Sequence, residues 1–173
     1  SSHSFTKEVL KKAGKQALTF ACDTDINAWT GIDNDSPSPY TALRTAGGNV
    51  HVGFDVEKED ASTRYDVIKL MDIYLGIPSV LLDGDTDRRS MYGHAGACRL
   101  KDYGVEYRVL SNFWSQSDEH IKWVYNQATR AVENKNYVAE ILDKYHPDLI
   151  QKTINDSDVD MASIIVADLQ LDL

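Results

Sequence analysis

The hydrophobic period of this chain changes near residue 112, and that change constrains the fold more than any other feature. Before it, two segments alternate strictly: residues 49–54 read Asn-Val-His-Val-Gly-Phe and residues 104–110 read Gly-Val-Glu-Tyr-Arg-Val-Leu. A period of two marks strands with one face turned to a core. After it the spacing is helical. Ile121, Val124, Tyr125, Ala128 and Val132 form a stripe, Ser117 is placed to cap it, and Asp118 and Glu119 suit the positive helix end. Further helices are expected around 137–145, 147–154 (with Pro147 at its first position) and 158–169. Strands before 112 and helices after it predict an α+β fold rather than a regular βαβ repeat.

The remaining elements follow from punctuation. Residues 4–17 read as an amphipathic helix capped by Ser4, and residues 18–22 as a strand. Residues 30–48 are rich in Gly, Asp, Asn, Ser and Pro and read as loop. Residues 62–75 form a helix with Val67, Leu70, Met71, Tyr74 and Leu75 on its apolar side, stopped by Gly76 and Pro78. Residues 79–82 then read as a short buried strand. The whole, 1–173, is taken as a single domain, which suits 173 residues with 42% hydrophobic and 26% charged side chains.

Charge narrows the partners. Eighteen Lys plus Arg stand against 27 Asp plus Glu, a net charge of -9, which argues against nucleic acid and against an anionic membrane surface. No apolar run approaches the roughly 20 residues that span a bilayer, and the first residues lack a signal-peptide core. Cys22 and Cys98 are far apart and outside any metal-spaced pair, so both read as reduced, buried thiols in a chain that works in the cytoplasm. The basic start (Lys7, Lys11, Lys12, Lys15) and the acidic end (Asp156, Asp158, Asp160, Asp168, Asp172) read as solvated faces.

The two alternating strands carry the chemistry. Val50, Val52 and Phe54 share one face of the first, and Asn49, His51 and Gly53 the other. In the second, Val105, Tyr107 and Val109 oppose Glu106 and Arg108. In one sheet these segments would make a polar floor able to hold metal or phosphate; the plain alternative is a face that meets solvent. Gly47, Gly48 and Gly53 favour the floor, because glycine lets backbone or ligand approach closely. The loop at 83–89, Asp-Gly-Asp-Thr-Asp-Arg-Arg, is the second candidate. A calcium loop is excluded, since its sixth position is Arg88 rather than Gly and its twelfth is His94 rather than Glu. The loop reads instead as phosphate-handling, with Arg88 and Arg89 restrained by the Asp residues and Arg99, Arg108 and Arg44 converging on the same anion; a surface salt-bridge cluster is the alternative. His94 reads as a loop histidine, His120 and His146 as helix-surface residues, and Trp29, Trp114 and Trp123 as core or rim aromatics. Neither a Gly-x-Ser-x-Gly turn nor a Gly-x-x-x-x-Gly-Lys-Ser/Thr loop is present.

Four pieces taken together carry a resemblance. They are Arg44-Thr-Ala-Gly-Gly-Asn-Val-His-Val-Gly-Phe, the 83–89 loop, Tyr92-Gly-His-Ala-Gly-Ala-Cys-Arg, and Tyr103-Gly-Val-Glu-Tyr-Arg-Val-Leu-Ser-Asn-Phe-Trp. With them the chain, from about Cys22 to about Trp114, resembles the phage-encoded carboxylate–amine (COOH–NH2) ligases, amidoligases of the glutamine synthetase and glutamate–cysteine ligase superfamily. The resemblance implies an antiparallel sheet as catalytic floor. It also implies ATP-dependent amide formation through an acyl phosphate, divalent metal (usually magnesium), small-molecule or peptide carboxylate and amine substrates, and the host cytoplasm as location. On that basis Arg88, Arg89, Arg99 and Arg108 are the expected catalytic residues, and Arg44, Gly47, Gly48, Asn49 and His51 the expected nucleotide side. Glu106 and His51 are the expected metal ligands.

Two departures shape the expectation. The family motif commonly reads Gly-Gly-His-x-His, and Asn49 stands where its first His would ligate metal; an amide is the weaker ligand. The family's strand of paired glutamates has no counterpart before Cys22. The chain is therefore expected to be the C-terminal part of a larger ligase fold, completed by another chain or by an N-terminal half. The alternative is a non-catalytic remnant or nucleotide-binding module.

Overall fold

The computed structural model describes residues 2–13, 25–35 and 42–173. Its centre is a five-stranded antiparallel sheet with strand order β3-β2-β6-β7-β5. The strands are β2 (Ile26–Asn27), β3 (Ile32–Asp33), β5 (Val50–Gly53), β6 (Ala97–Lys101) and β7 (Gly104–Tyr107). A separate two-stranded pair joins β1 (Ser2–Ser4) to β4 (Leu43–Thr45). Helices cover one face: α2 (Ala61–Met71), α3 (Ile77–Leu82), α4 (Asp118–Glu133), α5 (Val138–Lys144), α6 (Pro147–Asn155) and α7 (Val159–Leu169), with a short α1 (Lys7–Lys12) near the start. The α+β reading holds.

The core lies between that sheet face and the helices. Val105 and Tyr107 of β7 and Cys98 of β6 pack with Val67, Ile68, Leu70, Ile73, Leu75 and Ile77, and Trp123, Ile150, Ile154 and Ile165 close the far side. Burying each such side chain contributes on the order of 1.5–3 kcal/mol. The C-terminal helices start as their caps dictate: Ser117 and Asp158 accept from backbone N–H groups in the first turn, and Pro147 opens α6.

Several expectations are corrected. Thr6, not Ser4, caps α1, because Ser4 is held in β1 opposite Leu43. Gly76 and Pro78 do not end the helix. Residues Asp72–Gly76 widen into a π turn, with Ile77 N–H bonded to the Asp72 carbonyl, and the chain runs on into α3. Proline removes one helical donor, and the wide turn absorbs that loss. Residues 79–82 are thus helix, not strand: Ser79 and Val80 are buried and Leu81 and Leu82 half-buried, and an apolar run of that length fits either state. Residues 97–101, unassigned above, form β6 at the middle of the sheet, and the loop at 30–48 contains β3 and β4. The expected strand at 18–22, residues 14–17 of the first helix, and Cys22 lie outside the described residues. Cys98 is a free, buried thiol; burial and then the nearby Asp72 push it up to about 12, so it is inert.

Candidate functional site

Register builds the site. His51 lies opposite Glu106, and Glu106 lies opposite Arg99, so these three side chains share one row and one face across β5, β7 and β6. Lys101 follows Arg99 by two residues on the same face. Arg108, just past β7, stays in the ladder through its N–H bond to Ala97. This face is turned away from the helices, and three cations stand on it in a chain whose net charge is -9.

Glu106 is the centre of the cluster. It is 4% exposed. Its Oε1 accepts from Asn49 Nδ2 at 3.0 Å and from Arg108 Nη1 in a short charged contact, and its Oε2 meets Lys101 Nζ at 2.8 Å. Arg108 Nε reaches Asp25 at 3.2 Å. Burial works against the Glu106 charge, but Lys101 and Arg108 outweigh it and hold the carboxyl below its ordinary value. Burial likewise opposes the Arg108 charge, and Glu106 and Asp25 raise its pKa despite that. Beside this cluster, His51 is exposed, and its Nδ1 stands 2.5 Å from the Tyr103 hydroxyl. With Nδ1–H donating to that oxygen, Nε2 presents a free lone pair.

Asn49, His51, Glu106 and Arg108 therefore come together as their alternation predicts, and Arg99 joins them through β6. The other sequence candidates lie elsewhere. Arg88 and Arg89 are each 4% exposed. Arg88 donates to the backbone carbonyls of Val109 at 2.6 Å and Arg108 at 3.2 Å, passing so close to Gly93 that a Cβ there would sit 2.0 Å from Nη1. Arg89 joins Ser79 Oγ at 2.9 Å to Ser157 Oγ at 3.1 Å. Burial, then the charge of Arg89, bring Arg88 down to about 10. These two guanidinium groups clamp the chain rather than open to a phosphate, which corrects the phosphate-loop reading. Arg44 sits in β4, outside the five-stranded sheet. Gly47 bridges to Ser111, and a Cβ on Gly48 would lie 2.3 Å from the Ser111 carbonyl and 2.4 Å from Trp114 Nε1. The need for glycine at 48 is thus set by the chain's own packing. Gly53 has only Tyr103 O within 4 Å, at 3.5 Å, so packing makes no such demand there.

Two members of the cluster escaped the sequence. Lys101 was hidden because β6 was; its signal is the spacing of two from Arg99. Asp25 gave no signal, since it stands just before a two-residue strand whose pattern is too short to read.

The donor set does not fit a resident magnesium. Among the described residues no group of three or more His, Cys, Asp and Glu is placed to hold an ion. Both Glu106 oxygens already face cations or an amide N–H, whereas magnesium asks for near-octahedral oxygen ligation. What the face suits is an anion: fork-shaped guanidinium groups and an ammonium, fixed by carboxylates, bind phosphate or carboxylate oxygens.

On the other face of the sheet lies a second polar group. Asp72, at the start of the π turn, is fully buried and accepts from Trp29 Nε1 at 2.6 Å and the Tyr107 hydroxyl at 2.8 Å. Burial pushes it up to about 7 against those hydrogen bonds. Through Trp29, just past β2, and Tyr107, the last residue of β7, it ties the segments around Asp25, Glu106 and Arg108 to the helical layer.

Residues 17–158 match the family model described as phage phiEco32-like COOH.NH2 ligase-type 2. No match is found to a curated protein or to a solved structure. Among the described residues no helix is long and apolar enough to cross a membrane.

Proposed function

The chain belongs to the phage phiEco32-like COOH.NH2 ligase-type 2 family, and from that premise we propose that it joins a carboxylate to an amine at the expense of ATP, through an acyl phosphate formed over the polar face of the sheet. The observation that carries this reading is the cluster around Glu106: three cations on one face of an acidic chain, two of them held in place by two buried or half-buried carboxylates.

The roles follow from charge. The carboxylate oxygen attacks the γ-phosphorus, the bond to ADP breaks, and negative charge builds on the transferring phosphoryl oxygens. Arg99, Arg108 and Lys101 stabilise that charge, and they require no reorganisation because Glu106 and Asp25 already orient two of them. The amine then attacks the acyl carbon and phosphate leaves. Magnesium enters as the complex with ATP, part of the substrate. Asn49 and His51 border the nucleotide side. A second reading, a nucleotide-binding module without catalysis, is favoured by the lack of a three-ligand metal group among the described residues.

The test is release of ADP and phosphate from magnesium–ATP with a panel of small and peptide carboxylates and amines. The ligase reading expects release that requires both a carboxylate and an amine. Nucleotide binding without release supports the second reading, and no binding at all contradicts both.

A further inference from the structure

Among the described residues β5 is the last strand of its sheet, and its main chain decides what can join it. Phe54 N–H bonds to the Tyr103 carbonyl, and the register pairs Val50 with Tyr107 and Val52 with Val105. Hydrogen bonding alternates along an antiparallel strand, so the even residues face β7 and the N–H and C=O groups of Asn49, His51 and Gly53 point out of the sheet. None of these outward groups has a hydrogen-bond partner among the described residues. An open edge of this length is a template for another strand.

The sequence at the edge says which strand. Residues 49–53 read Asn-Val-His-Val-Gly, symmetrical in Val about His51. Antiparallel pairing of two such strands about a two-fold axis at His51 uses the outward groups of all three odd residues. It sets each half-buried Val50 against the partner's Val52, and Asn49 against the partner's Gly53, where no side chain competes. The two His51 side chains then stand side by side on the same face, as a directly opposed hydrogen-bonded pair with Cα atoms about 5.5 Å apart.

We propose that a second copy of this chain adds across β5, making one ten-stranded sheet, and that the paired His51 side chains form a site for a divalent transition metal that neither copy has alone. Each Nε2 supplies one ligand while Tyr103 fixes the ring through Nδ1. The partner's His51 thereby enters the polar face next to Glu106. This holds whether or not the ligase reading does, because its test involves no turnover.

The test is sedimentation velocity over a range of protein concentration, with and without Zn2+, on the chain and on two variants. The chain should dimerise, and Zn2+ should tighten the dimer at least tenfold. His51→Ala should still dimerise but lose the response to Zn2+. Gly53→Pro, which removes one outward N–H and leaves the β7 ladder untouched, should weaken the dimer at least tenfold. Amide exchange on the unaltered chain covers the case of a variant that misfolds: the Asn49, His51 and Gly53 amides should slow as concentration rises. A monomer at every concentration, which would leave the edge to some other partner, overturns the proposal. So does a dimer in which these three amides exchange as fast as in the monomer, or a zinc response that survives in His51→Ala.

Discussion

Glu106 is a carboxylate whose two oxygens are already answered by Lys101, Arg108 and Asn49. Its proposed task is to hold cations in place for an anion. Glu106→Gln should therefore loosen Arg108 and Lys101, lowering turnover at least tenfold while leaving the fold intact by circular dichroism. The same lowered pKa has a consequence for stability. The folded chain keeps Glu106 ionised below the value 4.5 of an ordinary Glu, so its contribution is present above that pH and is lost as pH falls through the folded value. Asp72 acts with the opposite sign. Its pKa rises from 3.8 to about 7 on folding, so the folded state holds a proton that the unfolded state has lost between those values. Stability from this group is full below about pH 4 and declines as pH rises to about 7. Denaturant unfolding across that range should show the decline, and Asp72→Asn should flatten it. At Gly48 a methyl group meets a backbone carbonyl and an indole nitrogen at 2.3 and 2.4 Å, so Gly48→Ala should destabilise by about 2–3 kcal/mol in the same measurement. Alternation in the sequence was enough to put Asn49, His51, Glu106 and Arg108 on one face. It was silent on burial, which is why Arg88 and Arg89 read as phosphate ligands from composition and emerge as internal clamps once Val109, Arg108, Ser79 and Ser157 are seen around them.

At the level of elements, the errors share one cause. Short segments carry too few residues for a period to show, and the helical run through Gly76 and Pro78 depends on a π turn that local propensity forbids and tertiary burial permits. Long amphipathic helices with good caps, such as α4 and α6, were legible to within a residue or two. β6 was missed because its polar-face residues, Arg99 and Lys101, look like a loop until β7 pairs with them. Arg89 is the link between elements that composition hides: it fastens α3, through Ser79, to the Ser157 turn that leads into α7. Arg89→Met should lower stability by about 1–3 kcal/mol in thermal or denaturant unfolding. Because the clamp lies away from the polar face, the KM for ATP should change less than twofold.

For the molecule as a whole, the sheet divides two environments. One face is buried against helices with Asp72 as its single described carboxylate partner to Tyr107, and the other presents Arg99, Lys101 and Arg108 around Glu106. On the proposed reading this second face activates a carboxylate with ATP. The most direct measurement is transfer of 18O from a labelled carboxylate substrate into the phosphate released during amide formation. One labelled oxygen per phosphate is expected with the unaltered chain, and at least a tenfold slower release with Arg108→Gln. Unlabelled phosphate, or labelled phosphate released at an unchanged rate by Arg108→Gln, would contradict it.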